Sequence, residues 1–224
     1  MSASSRQRIL DRIRAATPAA APQLAEAYAA LPREYVRLGA MSANACVERM
    51  IERLREYDAE VTRCMPDELE ATIAARLKGS GRRVFVAPAG LPAEWQAEEF
   101  VWKVDKNLKS LPVSEIESAE GVVTAAFCGI ADSGTIVLHH QAGEGRRILT
   151  LLPDWHLCVL RASQVVETLP EYFSRCPQPP ALVTWISGPS ATADIEMTRI
   201  KGVHGPRFLD VILVFDQGSQ PTLN

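Results

Sequence analysis

The amino-acid sequence predicts an α/β fold, a mostly parallel sheet flanked by helices. Three observations carry this. Between residues 60 and 87 the chain alternates strand, helix and strand: EVTRC, then an amphipathic stretch from Pro66 to Lys78, then RVFVA. The runs Val122–Cys128 and Leu209–Phe215 are apolar but for Thr124 and Asp210, as strands covered on both faces are. Polar, glycine-bearing loops stand next to such runs, at Gly129–Thr135 (GIADSGT) and from Ile186 to Pro206.

Taken in order, Ser4–Ala16 reads as a helix with Ile9, Leu10 and Ile13 on one stripe and Ser4 or Ser5 as its cap. TPAAAP breaks it, and Gln23–Ala30 is a second short helix. Residues 1–40 are thus expected to be a helical extension, residues 41–216 the α/β domain and 217–224 a polar tail. Ser42–Tyr57 is a stronger helix, because Val47, Met50, Ile51 and Leu54 follow the i, i+3, i+4, i+7 spacing. Pro66 suits the first turn of the next helix, which Gly79–Gly81 ends. Pro88–Trp102 has no clear periodicity, and Ser114–Ser118 fits a helical turn. Val122–Cys128 is expected as one central strand, joined by a short loop to a strand at Ile136–His140. Ile148–Leu152, Leu157–Leu160 and Ala181–Ile186 are expected strands, the last of them buried. Val166–Ser174 is expected to be helical.

Composition excludes several function classes. The formal net charge is −3, with 47% hydrophobic and 23% charged residues. That favours neither nucleic acid nor an anionic membrane surface. The pairs Arg82–Arg83 and Arg146–Arg147 and the neighbours Lys106 and Lys109 read as solvated surface. No apolar run approaches the roughly 20 residues of a membrane span. The N-terminus lacks the apolar segment of a signal peptide, so a cytoplasmic location is expected. Cys46, Cys64, Cys128, Cys158 and Cys176 include no two within four residues, which excludes close-paired zinc or iron–sulfur ligands. Cys158 and Cys176 read as small core residues. Cys128 adjoins the GIADSGT loop with nothing nearby to activate it. No P-loop, GxGxxG, GxSxG or HExxH is present.

The chemistry-bearing residues concentrate in the two loops. The first offers Gly129, Asp132, Ser133, Gly134 and Thr135, whose backbone N–H groups could form an anion nest or simply a tight turn. The second offers Ser187, Gly188, Ser190, Thr192, Asp194, Glu196 and His204. A helix starting near Ser190 or Thr192 would present its N-terminus to an anion, or be capped by those hydroxyls. Asp194, Glu196 and His204 are the candidate catalytic groups. They are also metal-ligand types, but their spacing matches no metal motif, so no metal is expected. His156 reads as packing a loop, with a place in the same pocket as the alternative. Alternation separates His139 from His140. The two loops are expected to converge on one pocket.

GIADSGTIVL, LLPDWHLCVL and ISGPSATADIEMTRIKGVHGPRFLDVILV, in this order and spacing, resemble the lactate-utilisation protein C family, the LUD domain. The resemblance covers about Ser42 to Phe215. It implies a fold related to the sugar-phosphate isomerase and CoA-transferase (NagB/RpiA/CoA-transferase-like) superfamily. It further implies a part in oxidation of L-lactate to pyruvate, as the subunit without a cluster beside iron–sulfur partner proteins. No cofactor is then expected in this chain, and the iron–sulfur clusters are expected in the partners. The resemblance supplies no catalytic residue, so the loop positions carry over as candidate binding residues for a small anionic metabolite. A free-standing enzyme, or a sensor, for a carboxylate or phosphorylated metabolite is the alternative.

Overall fold

A computed structural model describes residues 4–17, 22–106, 110–192, 200–201 and 204–215, with the backbone alone at 22, 23, 192, 200 and 201. The chain divides into two compact units, residues 1–35 and 36–224. In the first, α1 (Ser5–Ala16) is capped by Ser4, whose hydroxyl accepts the Gln7 N–H. α2 spans Pro22–Ala29. The Arg33 guanidinium closes its end by donating to the carbonyls of Tyr28, Ala29 and Leu31.

The second unit is built on a six-stranded, wholly parallel sheet. Its strands are β1 (Glu60–Cys64), β2 (Val84–Pro88), β3 (Val101–Asp105), β4 (Gly121–Ala125), β7 (Trp155–Arg161) and β12 (Phe208–Val214), in the order β1-β12-β7-β4-β2-β3. The central strands are buried on both sides, which explains sequences that are apolar but for His156 and the terminal Arg161 in β7 and Asp210 in β12. One face carries Phe85, Leu157, Val159, Ile212 and Val214 against Leu69, Ile73 and Leu77 of α4 (Leu69–Gly79). The other carries Cys158, Leu160, Val211 and Leu213 against α3 (Ala43–Glu56). α3 buries Cys46, Val47, Met50, Ile51 and Leu54, the stripe that its 3.6-residue period sets out. Ser42 caps it by accepting the Ala45 N–H. α5 (Val113–Glu117) adds Ile116 beside Val86, Val122 and Leu149.

A second, four-stranded sheet packs on the α3 side, in the order β8-β5-β6-β9. It consists of β5 (Cys128–Ile130), β6 (Thr135–Leu138), β8 (Val165–Val166) and β9 (Thr184–Ile186). β5 and β6 form an antiparallel hairpin, and α6 (Leu169–Arg175) follows β8. A small ribbon pairs β10 (Ala191–Thr192) with β11 (Ile200–Lys201).

Four expectations are corrected. The apolar run Val122–Cys128 is two strands, not one: after Ala125 the chain leaves the parallel sheet and its backbone partners change. The Ala125 N–H goes to Gly143 and the Phe127 N–H to Val137, while the Gln164 amide clamps the Ala126 and Phe127 carbonyls. Ile148–Leu152 is not a strand. Arg147–Thr150 is a 3-10 turn, because the Arg147 guanidinium takes the Thr150 carbonyl and hydroxyl while that hydroxyl donates to the Arg147 carbonyl. Ala181–Ile186 shortens to the edge strand β9, with Leu182 and Trp185 exposed, since Pro179 and Pro180 cannot donate to a ladder. No helix starts at Ser190, where the chain runs extended into β10. Asp194, Glu196 and the polar tail lie outside the described residues.

Candidate functional site

A cleft of about 130 Å³ opens where β9 and the turn Arg147–Thr150 stand off the parallel sheet, at the amino ends of β7 and β12. Its floor is His156 and Leu209, paired neighbours in register. Its walls are Arg147 and Thr150 on one side and Trp185 to Ser190 on the other, with His204–Pro206 closing the rim. The space equals about four water molecules at their liquid volume, enough for a small metabolite.

The two predicted loops do meet, through a chain of hydroxyls. Ser133 Oγ lies 2.8 Å from Thr135 Oγ1, which lies 2.7 Å from Ser187 Oγ. Ser190 ties the second loop to itself: its Oγ accepts the His204 N–H at 3.1 Å, and its N–H donates to the Pro206 carbonyl at 2.8 Å. Ser187, Gly188, Ser190 and His204 therefore line one cavity. The first loop supports that cavity without lining it. Gly129 lies in β5, where a Cβ would meet the side chains of Leu160 and Met50. Gly134, at φ +62°, ends the turn Ala131–Ser133 against α3, where a Cβ would come 2.7 Å from Arg53 Cβ. Asp132 and Ser133 are exposed, and Thr135 is buried. Thr192 has only its backbone described, in β10.

Two site residues exceed what the sequence showed. His156 is a fully enclosed strand residue at the cleft floor, its Nε2 sharing a 2.8 Å hydrogen bond with Thr124 Oγ1. Burial, and then the Arg147 guanidinium, push its imidazole down to about 3, so it is neutral at physiological pH. A neutral imidazole tied to a buried threonine shapes and polarises the cleft floor, and it is a poor general acid. Arg147, read from sequence as solvated, is half-buried in the wall. Burial lowers its pKa, and among the described residues no carboxylate pairs with it. A desolvated guanidinium with spare N–H donors is suited to a carboxylate or phosphoryl oxygen. The local signal for this was slight: an Arg entering an apolar run, RILTLL.

The cysteines offer no activated thiol among these groups. Burial raises Cys128 to about 11 and Cys158 to about 12. No cluster of three or more metal-ligating side chains forms among the described residues, and none of their helices is long and apolar enough to cross a membrane. His139 stacks on Phe127 and shares a 2.8 Å bond with Tyr172 Oη, whereas His140 bonds Thr184, so the adjacent histidines serve separate networks.

Residues 47–214 match the family model of the LUD domain. The chain is 42% identical to lactate utilization protein C of Deinococcus radiodurans over 73% of its own length and 76% of that protein. It is 30% identical to the protein of the same name from Halalkalibacterium halodurans, over 79% and 82%. The crystal structure of a DUF162 family protein from Deinococcus radiodurans superposes with a TM-score of 0.64 at 35% identity, covering 78% of this chain and 99% of that one. With its parallel sheet, its flanking helices and a family match spanning most of its length, the chain belongs to the LUD domain family.

Proposed function

We propose that this chain acts in lactate utilisation, as the subunit without a cluster beside iron–sulfur proteins that oxidise L-lactate to pyruvate, and that the β9 cleft holds a small anionic metabolite of that reaction. The single observation that carries the ligand reading is Arg147, a half-buried guanidinium in the cleft wall without a carboxylate partner among the described residues. Ser187, Ser190 and His204 supply polar groups around it, and Leu209 a small apolar surface for a methyl group. Relatives in sequence are named lactate utilization protein C, which supports the pathway. All five cysteines are free thiols, in keeping with work in the reducing cytoplasm.

The division of labour follows from the groups present. Arg147 binds and orients the anion, His156 keeps the floor neutral, and the Thr135–Ser187 bond holds the loop in register with the cleft. Electron transfer belongs to the partners, where clusters are expected.

The test is lactate-dependent reduction of an artificial acceptor by the iron–sulfur proteins with and without this chain, together with calorimetric titration of L-lactate and pyruvate into it. Activity that requires the chain, and binding that Arg147→Met weakens by tenfold or more, support the reading; one lost charge-assisted bond is worth about that factor. Full partner activity without the chain refutes the subunit role. Equal affinities of wild type and Arg147→Met refute the ligand site.

A further inference from the structure

A larger cleft, about 410 Å³, lies at the carboxyl ends of β2 and β3, away from the amino-end cleft of β7 and β12. Its position follows from topology. β3 joins β2 on one side, and the chain then crosses back to place β4 on the other. Such reversals open a crevice above the strand ends, where α/β sheets bind ligands.

The wall of this cleft is rigidly built. The loop after His140 is fixed over β2 and β4 by Gly143, whose N–H donates to the Ala89 carbonyl and whose carbonyl accepts the Ala125 N–H, both at 2.8 Å. Gly145, at φ +74°, sits so close that a Cβ would be 2.6 Å from Pro88 Cβ. The buried Glu144 carboxylate accepts the His139 N–H. His140 is held at φ +60°, with Nδ1 bonded to the Gly145 carbonyl and Nε2 to Thr184 Oγ1. A non-glycine residue stays in that conformation only where its surroundings dictate it, often beside a ligand site.

The charge of the cleft is also set. Arg146 spends Nε and Nη2 on the buried Asp105 carboxylate, at 2.7 and 2.9 Å, and Nη2 also donates to the Leu111 carbonyl. That pair is neutral, and it consumes the forked edge that a carboxylate ligand would need. Nη1 makes none of these bonds. The exposed Lys106 has no carboxylate partner among the described residues, so the described lining carries one cation in excess.

We propose that this cleft is a second ligand site, for a phosphate-bearing metabolite. Lys106 Nζ and Arg146 Nη1 would take the phosphoryl oxygens, with Ser110 and Gln141 on the rest of the molecule. A single ammonium and the two remaining guanidinium N–H groups on Nη1 suit a tetrahedral anion approached from several sides, as Lys does at phosphates. The volume falls within the range usual for small-molecule sites. The site shares no lining residue with the Arg147 cleft, so either can stand without the other.

The test is calorimetric titration of the full chain with inorganic pyrophosphate at fixed ionic strength, using wild type, Lys106→Met and Arg147→Met. Lys106 is exposed, so its replacement leaves the core untouched. The expected result is saturable one-to-one binding that Lys106→Met weakens by about tenfold or more and Arg147→Met leaves unchanged. No saturable binding at millimolar pyrophosphate overturns the proposal. So does equal affinity in wild type and Lys106→Met, or binding abolished by Arg147→Met.

Discussion

Acid should weaken this fold through one imidazole. His156 is enclosed between β4 and β12, hydrogen-bonded to Thr124 and close to the Arg147 guanidinium. Burial first, and Arg147 second, bring its pKa from the ordinary 6.5 to about 3. The unfolded chain therefore takes a proton below pH 6.5 that the folded chain refuses. Stability is complete above that pH and falls as pH drops toward 3. Between pH 7 and pH 5 the unfolded imidazole becomes almost fully protonated while the folded one stays neutral. At 1.36 kcal/mol per pH unit of difference, the loss is about 2 kcal/mol. The carboxyls of Asp105 and Asp154, held below their usual range, add their losses at lower pH, whereas the raised Glu144 and Asp210 oppose the trend. His139 is also lowered, by burial and then by His140, and acts in the same direction. Urea unfolding followed by tryptophan fluorescence at pH 7 and pH 5 measures the sum. His156→Gln, whose amide can still reach Thr124, removes one contribution and leaves the rest. The wild type should lose about 2 kcal/mol more than the variant over this interval. Equal losses in the two proteins would refute the reasoning.

Two further outcomes test the architecture around the cleft. Gly134→Ala places a Cβ 2.7 Å from Arg53 Cβ and 3.0 Å from the Arg53 backbone, at φ +62°. It should cost about 1–3 kcal/mol and lower the thermal midpoint by several degrees, and an unchanged midpoint would contradict the close packing of this turn on α3. Thr135→Val removes the hydroxyl between Ser133 and Ser187. A loss of about 1 kcal/mol is expected in denaturant unfolding, with weaker carboxylate binding in the β9 cleft measured by the same calorimetry. Unaltered binding would show that Ser187 holds its place without Thr135.

Much of the scaffold could be read from local pattern. The stripe Val47, Met50, Ile51 and Leu54 marks α3 because a helix repeats its face every 3.6 residues, and one apolar neighbour suffices to bury it. The mainly apolar runs in β7 and β12 mark strands covered on both faces. The polar loops were visible as candidates for the same reason: glycine, serine and acid residues interrupt apolar runs that must otherwise stay inside.

What failed locally failed where partners are distant in sequence. The run at Val122–Cys128 carries no sign of its bend, because Gly143, Val137 and Gln164 impose it from elsewhere. Arg147 looks like any surface arginine, and His156 like a loop residue. Only the stacking of β9 and the 147–150 turn over the amino ends of β7 and β12 brings both to one cleft. The cleft at the carboxyl ends of β2 and β3 likewise depends on strand order. By itself, then, the sequence determined the layered α/β class, the main helices and the loops rich in reactive side chains, since periodicity and turn chemistry act over a few residues. Tertiary structure alone decided which of those side chains share a cavity and which charges lose their solvent, because desolvation and long-range register are properties of the packed chain.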